Sequence, residues 1–368
     1  MIYKSEDVLR IAKRHNNSKR SYLLVNPLQG KHIPVRPSSA LEMMKTLGSK
    51  IAIKYPDTKL VIGFAETATA IGAMVAASLD DCIYVHTTRE NVQPCIEFLE
   101  EHSHAPEQRL YCEKLNDWLS NTSTVIFVDD ELSTGKTLRN MIRQLKATYP
   151  VLNDKILVAA SIINRLTSEN EALFKIDGIE SEYLLKLYEQ DFDISAEAKA
   201  PKLINTINVS KDRVEFKKIS IPLNPRLGVS ILKYINSVQS LGNEVANSIK
   251  SAKTILVLGT EECMLPAIFV GEILENAGFN VLTHSTTRSP IGISNFSNYP
   301  INEGYQLRSF YDVNRTTYIY NLQYYDLILV ISDVKQWRRE SVESLIAALN
   351  VHGYGKIIFI GDGDVQYI

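Results

Sequence analysis

The chain is expected to be an α/β protein with two doubly wound parallel-sheet domains, the second a degenerate relative of the first. Three observations lead there. Short apolar runs alternate with helix-like stretches from residue 59 onward. The same landmarks return after residue 222. A length of 368 residues allows two or three domains with ample buried cores.

In chain order, Leu60 to Phe64 reads as a strand, Ala68 to Leu79 as a helix and Ile83 to His86 as a strand. Val125 to Val128, Thr137 to Ala147 and Ile156 to Ile163 continue the pattern as strand, helix and strand. In such sheets ligands sit at the carboxyl ends of the strands, so the residues just after each apolar run carry the functional weight.

The repeat begins with Leu256-Val257-Leu258-Gly259-Thr260-Glu261-Glu262, which echoes Leu60-Val61-Ile62-Gly63-Phe64-Ala65-Glu66. His284 to Arg288 echoes His86 to Arg89, Leu327 to Val330 the run before the acids, and Ile357 to Ile360 the strand after them. Glu66 to Arg89 spans 23 positions and Glu262 to Arg288 spans 26, as one insertion between copies would give. The expected division is residues 1–195, a linker at 196–221 and a second domain at 222–368. Shared spacing among doubly wound folds is the competing explanation.

Bulk properties exclude several classes. A hydrophobic fraction of 45% and a charged fraction of 22% are ordinary, and no apolar run is long enough to span a bilayer. A net charge of -2 argues against general nucleic-acid binding. Met1 to Asp7 lacks signal-peptide order, so a cytoplasmic location is expected. Cys82, Cys95, Cys112 and Cys263 form no C-x-x-C pair and read as buried thiols.

The most informative segment is Val125 to Thr137, an apolar strand running into Asp129 and Asp130 and then into Ser133-Thr134-Gly135-Lys136-Thr137. Paired carboxylates at a strand end accept hydrogen bonds from vicinal ribose hydroxyls or hold Mg²⁺ through water. The turn offers backbone N–H groups and hydroxyls at a helix start, where phosphate is stabilised. A Walker A loop fails on spacing, because its first glycine would fall at Asp130. A capped helix with acidic cap residues is the plainer alternative. The segment resembles the phosphoribosyl pyrophosphate (PRPP) signature of type I phosphoribosyltransferases.

That resemblance implies further groups. Gly63-Phe64-Ala65-Glu66-Thr67-Ala68-Thr69 falls where type I enzymes hold pyrophosphate on main-chain N–H groups, with Gly63 permitting close approach. Glu66 reads equally as a helix-start charge or a Mg²⁺ contact. Arg89 matches the cation that faces the leaving group; a surface ion pair with Glu90 is the alternative. The stretch Glu90 to Trp118 occupies the place of the mobile catalytic loop, and its His102 or His104 would donate to pyrophosphate or shuttle a proton, unless both are solvated without a role. Asn164 and Arg165 follow a core strand and are expected near the acceptor or sugar. The N-terminal segment, with Lys31 and His32, is the expected hood over the acceptor.

Gly30 to Val35, Gly63 to Thr69 and Glu101 to Ala105 together resemble the orotate-phosphoribosyltransferase-like family of tellurite-resistance gene neighbourhoods. Its members often carry a C-terminal TRSP domain, matched here by Pro225 to Val229, Leu258 to Glu262, Ser285 to Pro290 and Tyr318 to Asn321. The resemblance implies transfer of phosphoribose from Mg²⁺-PRPP to an unidentified nitrogenous acceptor in synthesis of a nucleoside-like metabolite. It is compatible with a homodimer. A PRPP-sensing regulator without chemistry is the alternative; a PRPP synthetase would carry the signature in its second domain. Glu261, Glu262, Thr286, Thr287, Arg288 and Ser289 form a polar set in the second half, expected either as a second ligand site or as part of a purely structural copy.

Overall fold

A computed structural model describes residues 2–15, 21–98, 108–188, 192, 196–204, 212–221 and 223–365. The chain divides into two compact units: Met1–Ser5, Glu42–Asp191 and Leu223–Asn236 form the first, and Glu6–Leu41, Phe192–Pro222 and Ser237–Ile368 the second.

The first unit has five parallel core strands: β1 (Leu60–Gly63), β2 (Ile83–His86), β3 (Thr124–Leu132), β4 (Ile156–Asn164) and β5 (Ile179–Lys186). Their spatial order is β2-β1-β3-β4-β5, and Val229–Ser230 adds an antiparallel edge beside β2. All four residues of β1 and the first five of β3 are buried, as unbroken apolar strands covered on both faces should be. Helix α1 (Thr69–Ala76) follows β1. Helix α2 (Lys136–Thr148) buries Leu138, Met141, Ile142 and Leu145, one helical stripe, in the core that contains Val125 and Phe127.

The second unit has β6 (Val214–Lys218), β7 (Thr254–Gly259), β8 (Asn280–Ser285), β9 (Tyr325–Ile331) and β10 (Tyr354–Gly361), again all parallel. Their order, β8-β7-β9-β10-β6, repeats that of the first sheet, but the edge strand β6 precedes the others in the chain, whereas β5 follows its neighbours. Register agrees as well. Gly63 lies opposite His86 and Val128, and Gly259 lies opposite Ser285 and Ile331. Helix α3 (Leu265–Asn276) follows β7, and α4 (Arg339–Asn350) follows β9.

The compact units differ from the expected division in three places. Residues 196–221 are no linker: they contain Lys202–Leu203 and β6, whose Phe216 stacks on Phe359 with ring centroids 5.0 Å apart. Leu223–Asn236, taken as the start of the second domain, belongs to the first unit, where Val229 and Ser230 pair with Tyr84 and Ile83. Glu6–Leu41, expected to roof the first site, belongs to the second unit. Its Ala12 and Val25 enter an apolar cluster with Ile291, Ile293, Ile301 and Tyr320, burial that a local reading of a glycine-punctuated loop does not register.

Cys82 and Cys263 are buried, but Cys95 and Cys112 are only half-buried, and none forms a disulfide. Among the described residues, no helix is long and apolar enough to cross a membrane.

Candidate functional site

Four segments meet at the carboxyl edge of the first sheet. The first is the end of β3, which continues through both acids because Asp129 and Glu131 stay in register with Ser161 and Ile163 of β4. The Asp130 N–H donates to Asp129 Oδ1 at 2.9 Å and the Glu131 N–H to Asp130 Oδ1 at 3.1 Å. Burial, and then the neighbouring charge of Asp130, hold the Asp129 carboxyl well above the usual range. Such a pair favours a cation or hydroxyl donors beside it.

The turn after β3 needs its glycine twice over. Gly135 has φ +63°, and a Cβ there would lie 2.3 Å from the Phe174 ring. Thr134 Oγ1 accepts the Lys136 N–H at 3.3 Å. Thr134, Lys136 and Thr137 are exposed and Ser133 is half-buried. No acidic residue occupies the first turn of α2, so the positive end of its dipole is unopposed by its own sequence.

The second segment, after β1, is tied to the third, after β2. Ala65 N–H donates to Thr87 Oγ1 at 2.9 Å, and Thr87 N–H donates to the Gly63 carbonyl at 2.9 Å. Gly63 also has an internal reason to be glycine: a Cβ there would lie 2.7 Å from the Tyr84 hydroxyl. The Thr69 hydroxyl donates back to the Glu66 carbonyl at 3.3 Å. Phe64 and Glu66 are buried, and Ala65 and Thr67 half-buried.

Arg89 is exposed at the end of β2. Its carbonyl accepts Arg109 Nη1 at 3.1 Å, while Gln108 Nε2 donates to the Ala65 carbonyl at 2.8 Å. Thr88 and Arg109 exchange backbone hydrogen bonds of 2.8 and 2.7 Å. The strand Gln108–Tyr111, returning from Cys95–Phe98, thus holds both loops. Sequence reasoning missed Gln108, Arg109 and the tying role of Thr87; the repeated Thr-Thr-Arg at 87–89 and 286–288 was the available signal. His102 and His104 lie outside the described residues.

At the fourth segment, Arg165 is buried and its Nη1 meets Glu131 Oε1 at 3.1 Å. Asn164 is a structural lock, its Oδ1 accepting Leu166 N–H and Lys186 Nζ, each at 2.9 Å. Glu131 is therefore a third acid of this edge that the sequence did not single out. Among the described residues, no three His, Cys, Asp or Glu side chains converge on one metal position.

Lys31 and His32, expected over the acceptor, are buried in the second unit. There Lys31 Nζ donates to the Glu261 carbonyl at 2.7 Å, because the backbone of Val35 is bridged to Thr283 of β8 and fixes this segment on the second sheet. Glu261, Glu262, Thr286, Thr287, Arg288 and Ser289 do come together at the ends of β7 and β8.

Residues 8–184 match a family model described as phosphoribosyl transferase (PRTase_2), and residues 226–349 match one described as the TRSP domain C-terminal to PRTase_2. No curated protein matches the chain. Similar solved structures include the adenine phosphoribosyl transferase of Trypanosoma brucei, at 13% identity over 49% of this chain and 76% of that one, TM-score 0.36. The orotate phosphoribosyltransferase of Aeropyrum pernix matches at 19% identity over 50% and 89%, TM-score 0.31. The adenine phosphoribosyltransferase of Giardia lamblia matches at 13% identity over 50% and 97%, TM-score 0.34.

Proposed function

From a chain belonging to the family in which a PRTase_2 phosphoribosyl transferase domain precedes a TRSP domain, we propose transfer of the 5-phosphoribosyl group from Mg²⁺-PRPP to a nitrogenous acceptor, releasing pyrophosphate, in synthesis of a nucleoside-like metabolite. The observation that carries this reading is the unbroken sequence of β3, the Asp129–Asp130 pair, the Gly135 turn and the positive end of α2 at one sheet edge.

In this reading Asp129 and Asp130 accept the ribose hydroxyls and favour positive charge on the sugar as C1 loses pyrophosphate. Residues Ser133 to Thr137 take the 5′-phosphate. The loop from Gly63 to Thr67, with Arg89, takes the pyrophosphate. Arg165, whose guanidinium is held by Glu131, contacts the acceptor or the sugar. The acceptor nitrogen lone pair bonds C1 with inversion, the C1–O bond breaks with its electrons leaving on pyrophosphate, and the acceptor's proton passes to solvent. The raised Asp129 carboxyl beside Asp130 fits a divalent cation held through water or PRPP. Mg²⁺ there supplies neutralisation of the leaving pyrophosphate.

Asp129→Asn combined with Asp130→Asn is expected to lower pyrophosphate release by about 10³-fold or more, with circular dichroism retained and the melting temperature not lowered. Unaltered turnover in that variant rejects the assignment. PRPP binding to the wild type without turnover on any nitrogenous base favours a PRPP-sensing regulator.

A further inference from the structure

The second unit keeps the frame of the first to the level of single hydrogen bonds. Glu261 N–H donates to Thr286 Oγ1 at 3.0 Å, as Ala65 N–H does to Thr87 Oγ1. Thr286 N–H donates to the Gly259 carbonyl at 3.0 Å, as Thr87 N–H does to Gly63. Ser289 N–H donates to Thr287 Oγ1 at 3.1 Å and Glu90 N–H to Thr88 Oγ1 at 3.0 Å. Thr287 bridges Tyr318 of a hairpin, as Thr88 bridges Arg109.

The same register shows what replaced the ligand groups. With Val128 and Ile331 equivalent and α2 and α4 starting at matching positions, Asp129 becomes Ser332, Asp130 becomes Asp333, Thr134 becomes Trp337 and Gly135 becomes Arg338. Trp337 is fully buried and packs edge-on to Phe310, Phe359 and Phe216. A large apolar ring thus stands where the first unit presents a small polar turn.

The remaining polar groups are met by the unit's own hairpin, Gly304–Arg308 and Thr316–Tyr320 with its connection. Ser309 Oγ donates to Glu261 Oε1 at 2.6 Å, and Arg315 Nη1 reaches Glu261 Oε2 at 3.0 Å. The Tyr311 hydroxyl lies 2.9 Å from Thr260 Oγ1 and donates to Asp333 Oδ1 at 2.5 Å. A phenol therefore gives the counterpart of Asp130 the kind of hydroxyl contact proposed for ribose. Two cations of this face already stand beside acids, Arg315 3.0 Å from Glu261 and Arg288 3.9 Å from Glu262, and Lys31 Nζ is taken by the Glu261 carbonyl.

We infer that the second unit is a self-occupied copy of the transferase fold, its ligand face filled by residues 309–315 and Trp337, so that one chain binds one PRPP. The polar set at Glu261 to Ser289 is the seat of this internal plug.

The stoichiometric half of the inference rests on the proposed function. Equilibrium dialysis of the full chain with labelled PRPP and Mg²⁺ is expected to give one PRPP per chain, and none for the Asp129→Asn, Asp130→Asn variant. Two per chain, or one retained in that variant, overturns the inference. The plug is tested separately without ligand. Hydrogen exchange of Tyr311→Phe, and of Ser309→Ala as a second variant, should show amides of 309–316 exchanging about tenfold faster, with those of Thr88 and Arg109 unchanged. Unchanged exchange at 309–316 in both variants overturns the plug. Faster exchange there, with no PRPP bound by the wild type, upholds the plug and rejects the proposed function.

Discussion

Replacing Gly135 by alanine probes the turn on which the proposed phosphate site depends. The residue has φ +63°, a region that costs an L-residue about 1–2 kcal/mol. Its new Cβ would stand 2.3 Å from Phe174 Cε2, 2.4 Å from Cζ and 3.3 Å from a Leu166 methyl. Phe174 and Leu166 are buried members of the first core, so the ring has nowhere inexpensive to go, and overpacking of this kind costs about 1–3 kcal/mol. Reduced freedom of the unfolded chain returns about 0.4–1 kcal/mol. The net loss is about 1–4.5 kcal/mol, a large part of a typical domain's stability.

Only two tryptophans exist, Trp118 in the first unit and Trp337 in the second. Urea titration by fluorescence in a Trp337→Phe background therefore reports the first unit through Trp118. Adding Phe174→Leu should recover the overpacking share and leave the backbone share. A Gly135→Ala loss below about 0.5 kcal/mol refutes the argument from both strain and contact.

Three further outcomes follow from named contacts. Asp129 has its folded pKa raised, so its ionised form opposes folding at neutral pH; Asp129→Asn should stabilise the ligand-free protein by about 0.5–2 kcal/mol, and a lower melting temperature contradicts this. Burial raises the Asp177 carboxyl, but hydrogen bonds from Arg139 and Arg143 outweigh it and leave the pKa lowered. Its stabilisation should thus be full near neutrality and fade as pH falls below about 4, so Asp177→Asn should cost about 1–3 kcal/mol at pH 7, with the gap from wild type closing in acid melts. Thr87→Val and Thr286→Val each remove the acceptor of one loop N–H and should each cost about 1–3 kcal/mol, but only Thr87→Val should lower turnover; equal effects on turnover count against confining the chemistry to the first unit.

The fold class was legible because β1, β3, β7 and β9 are apolar runs of strand length and α2 carries a clean helical stripe. The acids and turn at Asp129 to Thr137 were legible for a related reason: local chemistry at a strand end is written in adjacent residues. Segment membership was not. Ala12 and Val25 pack with Ile291 and Ile301, partners almost three hundred positions away, and no period or motif in residues 6–41 names them. Gly63 shows the same limit at one residue, since a glycine for ligand approach and a glycine for Tyr84 look identical in a sequence. Gln108 and Arg109 act through an amide and a guanidinium aimed at backbone carbonyls, so their residue types alone carried no signal.

The repeated threonines explain how the two halves keep one frame while their strand-end residues differ. Thr87 and Thr286 each fix a loop by accepting one main-chain N–H, a task set by the sheet and independent of any ligand. Either loop would be loosened without that bond whether or not a ligand is bound, so the frame persists. Groups that only a ligand requires face no such constraint. A buried acid without a ligand is instead costly, and the second unit meets that cost at Glu261 with Arg315 and Ser309, while half-buried Asp333 takes the Tyr311 hydroxyl. Asp130, the counterpart of Asp333, instead accepts the neighbouring Glu131 N–H on its Oδ1 at 3.1 Å. One carboxylate takes a phenol from its own unit and its counterpart takes only a neighbouring main-chain N–H among the described residues, the difference expected if the first unit alone receives hydroxyls from outside.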